Sequence, residues 1–142
     1  MIGILLLTHE NFGAAMLKSA ELIVGGLEQV RAIGLNRGDD ITVFSERVRD
    51  AIESMDTGDG VLVFVDLFGA SPYNATALVS TGIEQKFRCV AGISFPMVLE
   101  ALTMRESCPL NELTDNCMNA GKDGIKELFS EMNALSEEKI KK

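Results

Sequence analysis

The 142-residue sequence has no tryptophan, one tyrosine, one histidine and three prolines. So thin a supply of large rings speaks against a flavin or a base-stacking site, and neither G-x-G-x-x-G nor a P-loop is present to hold a nucleotide by its phosphates. Cations are scarce too: 13 Lys and Arg against 21 Asp and Glu leave a formal charge of −8. Nucleic acid needs the opposite sign, in clusters. The one basic cluster is the tail, Lys139, Lys141 and Lys142, directly preceded by Glu137 and Glu138. Cys89, Cys108 and Cys117 are odd in number and form neither a CxxC nor a zinc spacing, so free thiols in a reducing cytoplasm are expected. No apolar stretch reaches the roughly 18 residues of a membrane span. The opening run Met1–Leu7 lacks a cationic flank and a cleavage site, so no signal peptide is expected. No cofactor is called for and no metal: Asp39-Asp40 and Asp56/Asp59 read as solvated surface.

What remains is a chain with 46% apolar and 24% charged residues, the composition of an ordinary globular protein. Its length suits a single domain, 1–142, able to bury roughly 70% of its unfolded surface without disulfide or metal staples. Ile2–Leu7 is a short continuous apolar run, the pattern of a strand covered on both faces. A helix is expected over Gly13–Val24, with Ala14, Leu17, Ala20, Leu22 and Val24 inward and Gly25-Gly26 ending it. Val30–Leu35 reads as a second strand. Behind Asp39-Asp40, the positions Val43, Phe44, Val48, Ala51, Ile52 and Met55 repeat at helical steps over Ile41–Met55. After the turn Asp56–Gly60, Gly60–Asp66 is the clearest strand, followed by a loop to Ser71 and a helix from Pro72 to about Ser80, with Ser71 as its cap. Cys89–Phe95 is a fourth strand and Met97–Met104 a short helix. From Asn111 onward the chain reads as one or two polar helices, interrupted at Gly121 and Gly124.

Four β-then-α units imply parallel strands joined by right-handed helical crossovers. The expected fold is α/β: a small doubly wound, mostly parallel sheet of order 2-1-3-4 with helices on both faces, the core spanning 1–105 and the segment 106–142 serving packing or dimerisation.

Ligands of such sheets bind beyond the carboxyl ends of the strands, where the crossovers change face. His9 follows the first strand and Asp66 ends the third, so order 2-1-3-4 would make them meet. A carboxylate on Nδ1–H fixes the tautomer and leaves Nε2 as a nucleophile or base. Leu67-Phe-Gly-Ala-Ser71 leads into a helix N-terminus, whose free amides and dipole attract an anion; Gly69 permits close approach and Ser71 adds a hydroxyl. A nucleophilic imidazole beside an anion cradle suggests phosphoryl transfer through phosphohistidine. The plain alternatives are a polar loop histidine, a turn-capping aspartate and an ordinary Ser-Pro helix start. Phe12, Phe68 and Met97 are candidates for a partner-docking surface or, equally, for core packing.

Three segments resemble the enzyme IIA component of the mannose-fructose-sorbose class of the bacterial sugar phosphotransferase system. They are the apolar strand ending in Thr8-His9, the run Val65-Asp66-Leu-Phe-Gly69-Ala-Ser71-Pro72-Tyr-Asn74-Ala75, and Gly92-Ile-Ser-Phe-Pro96-Met97-Val-Leu-Glu100. The resemblance spans Ile2 to about Met104 and implies that His9 accepts a phosphoryl group at Nε2 from HPr and passes it to a IIB component. It also implies that Asp66 orients the ring, while the amides of Leu67, Phe68, Gly69, Ala70 and Ser71 and the Ser71 hydroxyl hold the phosphoryl oxygens. It further implies a cytoplasmic homodimer that touches the membrane only through a IIC/IID transport complex, with a strand at Ile125–Phe129 exchanged between subunits; the local pattern there is helical. No IIB-type sequence follows Lys142, so a separate chain is the expected partner. Many relatives have glycine after the histidine; here it is Glu10, expected to point outward. The alternatives are the phosphoryl-donor subunit of a phosphotransferase-dependent dihydroxyacetone kinase and a non-catalytic flavodoxin-like binding module. Ser71 lacks the G-x-S-x-G elbow of a hydrolase.

Overall fold

The apolar runs form four strands, β1 (Gly3–His9), β2 (Val30–Leu35), β3 (Val61–Val65) and β4 (Phe87–Ala91). They alternate with helices α1 (Phe12–Val24), α2 (Ile41–Met55), α3 (Ser71–Ser80) and α4 (Phe95–Met104), and α5 (Leu110–Asp123) and α6 (Leu128–Lys141) follow. The computed structural model describes residues 1–141, with side chains through residue 138. The tail lysines Lys139, Lys141 and Lys142 therefore lie outside the described side chains. The sheet has the order β2-β1-β3-β4 and every neighbouring pair is parallel, as expected.

The two-residue period of a strand splits its apolar run between two cores. Ile4 and Leu6 join Leu62, Phe64 and Val90 under α1, α4 and α5, while Leu5 and Leu7 join Val61, Val63 and Val65 under α2 and α3. Helices thus cover both faces, and the change of face falls between β1 and β3. α1 meets the sheet through Gly13, Leu17 and Ala20. Ala14 and Leu22, expected inward, face solvent; a side chain at position 13 would press on Leu6 Cβ at 3.2 Å, so the glycine sets which side of the helix lies down. α2 is capped by Asp40, whose side chain accepts from the amides of Thr42 and Val43. It buries Phe44, Val48, Ala51, Ile52 and Met55, while Val43 stays exposed.

Element ends differ from the sequence expectation where a glycine or a cap intervenes. β4 runs from Phe87 to Ala91 rather than Cys89 to Phe95, because Gly92 takes φ +87° and turns its own amide and that of Ile93 onto Val65 O. Ser94 then caps α4, which starts at Phe95, before Pro96. The cap of α3 is Ala70, not Ser71; Ser71 is the first helical residue. α5 runs straight through Gly121, where a Cβ would lie 2.6 Å from Met97 Cε, so the glycine makes room for a core side chain instead of breaking the helix.

Leu110, Leu113 and Cys117 bind α5 to the core. α6 and the connector before it are different: Ile125, Leu128, Phe129, Met132 and Leu135 are all largely exposed. No strand forms at Ile125–Phe129: Ile125, Lys126 and Glu127 are an irregular connector, and Leu128-Phe129 open α6. The helical spacing of the apolar residues downstream extends the helix back to Leu128.

Candidate active site

β1 and β3 lie side by side with Leu7 opposite Val65, so His9 and Asp66 leave the sheet together at the switch point. One carboxylate oxygen, Asp66 Oδ2, accepts the His9 backbone N–H at 2.8 Å and lies 2.8 Å from His9 Nδ1. The imidazole side chain is 49% exposed and the carboxylate 10%, so the ring is open to a visitor while its anchor is sheltered. Burial works against ionisation of Asp66, but the hydrogen bonds from the His9 amide and ring, and the charge on that ring, outweigh it and hold the carboxyl below its usual 3.8. An ionised Asp66 selects the Nδ1–H tautomer, which leaves the lone pair on Nε2 of the half-exposed ring. Asp66 Oδ1 is buried and has no protein partner among the described residues.

The turn behind the ring is built from the strand. Thr8 is buried and its Oγ1 accepts the amide of Gly13 at 2.9 Å, capping α1 in place of Asn11, whose side chain makes no such bond. Glu10 sits at φ +51°, a conformation that favours glycine. It is held by its amide on Leu35 O and by its Oε1, which accepts the amide of Arg37 at 3.2 Å. Its exposed carboxylate reaches the β2–α2 loop. Gly34 is required opposite: a Cβ there would meet Glu10 O at 1.9 Å.

Beyond Asp66 the chain makes a tight turn. Ala70 N–H donates to Leu67 O at 3.3 Å, and Gly69 has φ +80° at the third turn position, the signature of a type II turn. Ala70 N–H is thereby committed within the turn, so of the five amides expected to cradle an anion this one is removed. Those of Leu67, Phe68, Gly69 and Ser71, and the Ser71 hydroxyl, have no protein partner among the described residues. The turn is braced from α3: Asn74 Nδ2 donates to Gly69 O at 2.9 Å, and the Phe68 and Tyr73 rings sit 4.8 Å apart. Asn74 lay inside the motif, but its isolated identity carried no role.

Phe12 and Phe68 are exposed beside this rim, at 49% and 73%. Met97 is not a docking residue: at 6% exposure it packs inward among Leu113, Cys117 and the space left by Gly121. A groove of about 340 Å³ is lined by Phe12, Ala15, Met16, Ser19 and Phe95. A larger cavity of about 500 Å³, between Met1, Asp59, Lys86, Arg105 and Leu110, lies at the amino-terminal ends of the strands, opposite His9. The acidic pairs serve the backbone: Asp39 accepts from Asn36 N, Asp56 from Gly58 and Gly60, and Asp59 from the N-terminal ammonium. Among the described residues no three His, Cys, Asp or Glu side chains are grouped to hold a metal ion, and no helix is long and apolar enough to cross a membrane.

Residues 3–118 match the family described as the PTS system fructose IIA component. Over 128 residues the chain is 32% identical to the PTS system mannose-specific EIIAB component of Escherichia coli (strain K12); the match covers 89% of this chain and 39% of the length of that relative. Similarity to the PTS system fructose-specific EIIA component of Bacillus subtilis (strain 168) is 31% over 116 residues, 82% of this chain and 79% of that protein. The crystal structure of the phosphotransferase system component EIIA from Streptococcus agalactiae superposes with a TM-score of 0.84 at 26% identity, covering 92% of this chain and 99% of that one.

Proposed function

Because the chain belongs to the mannose-fructose-sorbose family of phosphotransferase-system IIA components, we propose that it is a cytoplasmic phosphohistidine carrier, accepting a phosphoryl group from HPr on His9 and passing it to a IIB component. The observation that supports this best is the single Asp66 oxygen bound to both the amide and the ring of a half-exposed His9. The Nε2 lone pair attacks phosphorus in line as the P–N bond to the donor's imidazole breaks. The donor ring keeps that electron pair, and Asp66 stabilises the positive charge on the His9 ring. Little else is asked of the protein than position and charge. The unpartnered amides of Leu67, Phe68, Gly69 and Ser71 and the Ser71 hydroxyl receive the phosphoryl oxygens at the N-terminus of α3. The onward step is the same displacement reversed, with IIB as acceptor. Docking is brief and uses the exposed Phe12 and Phe68 around the ring.

The unit is one IIA-type domain that pairs with a second copy of itself. Ile125, Leu128, Phe129, Met132 and Leu135 form an apolar set that the single chain leaves in water, and a partner copy would cover it.

Incubation with phosphoenolpyruvate, enzyme I and HPr should place acid-labile label on the wild type and none on His9→Ala, with the circular dichroism spectrum unchanged. Addition of a IIB component should then drain the label. Label retained by His9→Ala, or drained only by the nucleotide-loaded subunit of a dihydroxyacetone kinase, would overturn the proposal. Sedimentation of Phe129→Asp as a monomer beside a dimeric wild type tests the pairing.

A further inference from the structure

We propose that Asn74 is a positioning residue for phosphoryl transfer, acting through the turn that cradles the phosphoryl group; the inference rests on the carrier reading of His9. Asn74 stands on the first turn of α3 and its side-chain amide donates to Gly69 O at 2.9 Å. That carbonyl belongs to the tight turn beginning one residue after the carboxylate that holds His9. Gly69 at φ +80° could otherwise swing its peptide planes at little cost, because its φ is not restrained by a side chain and nothing stands within 4 Å of the place a Cβ would occupy.

Two consequences follow from pinning this one oxygen. First, an unpaired carbonyl oxygen at the mouth of an anion cradle would repel a phosphoryl dianion, and Asn74 occupies it with a donor. Second, Gly69 O and Ala70 N–H share one rigid peptide plane. With the oxygen held by Asn74 and the N–H by Leu67 O at 3.3 Å, both ends of that plane are fixed. Bracing this closing plane narrows the orientations open to the preceding amides of Phe68 and Gly69. The Phe68–Tyr73 contact holds the outer surface of the turn but bonds none of its polar atoms. Asn74 is itself exposed, so its bond to Gly69 contributes little to the stability of the fold. Its value lies in where it holds the amides.

The test compares the wild type with Asn74→Ala, Asn74→Asp and Asn74→Gln, using phosphorylated HPr as donor. The Ala variant should lose about tenfold to a hundredfold in kcat with KM within about twofold of wild type, since the lost alignment acts on the transition state rather than on docking. The Asp variant, isosteric but without the donor, should be at least as slow, and Gln, which keeps the donor, should recover part of the rate. In the nitrogen-15 spectrum of the wild type, phosphorylation should move the amides of Phe68, Gly69 and Ser71 downfield; in Asn74→Ala those shifts should shrink. Wild-type kcat in the Ala variant, a loss confined to KM, or unchanged shifts at the three amides would overturn the inference. A wild type that takes no label on His9 overturns the carrier reading itself. Should Asn74→Ala fail to fold, the Asp and Gln variants and the wild-type shifts decide alone.

Discussion

Asn in place of Asp66 isolates the charge behind His9 from its shape. The amide oxygen can take the position of Oδ2 and still accept the His9 N–H and the Nδ1–H that Oδ2 now accepts, both at 2.8 Å. The amide nitrogen falls where Oδ1 sits buried without a protein partner. What disappears is the negative charge. A hydrogen bond to a charged partner contributes about 1.5–3 kcal/mol against about 1 for a neutral one, and the charged form matters most once Nε2 gains its bond and the ring becomes cationic. Replacing the charged bond by a neutral one loses about 0.5–2 kcal/mol at that stage and slows transfer by more than about twofold and up to about thirtyfold. Rapid-quench transfer of label from phosphorylated HPr measures it, and the loss should appear in kcat with KM little changed. A second reading comes from acid. The Asp66 carboxyl is held below its usual 3.8, hydrogen bonds from His9 outweighing the opposing burial. Its ionisation therefore adds stability that is complete above the unfolded value and is lost as pH falls through the lower folded value. Urea midpoints of wild type and Asp66→Asn should thus converge as pH drops below about 3.8. A transfer rate within twofold of wild type, or a stability difference that stays constant through that acid range, would refute the role assigned to this carboxylate.

Other outcomes follow from the same geometry. Gly34→Ala should lower stability by more than about 2 kcal/mol in urea and disable transfer, since the new Cβ meets Glu10 O at 1.9 Å and displaces the turn behind the ring. Glu10→Gly should stay within about 1 kcal/mol of wild type, because relief at φ +51° is offset by the lost bond to Arg37 and by the freer unfolded chain. Arg105→Met should cost about 2–4 kcal/mol while leaving transfer by the folded protein intact. Arg105, 8% exposed, donates from its guanidinium to the carbonyls of Ile2, Glu28 and Gln29 at the amino-terminal ends of β1 and β2, remote from His9.

Much of the fold was legible because its signals are local. Apolar runs such as Ile2–Leu7 and Gly60–Asp66 announce strands covered on both faces, and the three- and four-residue steps of Ile41–Met55 announce a helix under an aspartate cap. The same locality explains the misreadings. Leu22 and Val43 have the right periodicity but lie on the wrong side, because a helix's rotation about its own axis is decided by the surface it meets; for α1 that is Gly13 against Leu6. Met97 was ambiguous between core and surface, and only the packing of α5 through Gly121 made it core. Gly121 itself would break an isolated helix, yet here close approach of Met97 favours it. For the candidate site, His9, Asp66 and the loop to Ser71 were visible as residue types at strand ends. Asn74 and Thr8 were not, since a donor or acceptor has no role until the carbonyl or amide it reaches has been placed.

The order of periodic segments by itself determined the class of fold and where chemistry could sit, since parallel strands with helical crossovers leave a crevice at their carboxyl ends. It could not bring His9 and Asp66 together: 57 residues separate them, and their meeting depends on β1 lying beside β3, which is a property of the assembled sheet. The tertiary structure also decided which amides remain free for an anion and which apolar residues stay in water. Such questions are settled by competition among all the groups within reach of one another, and a chain read in one dimension does not contain those distances.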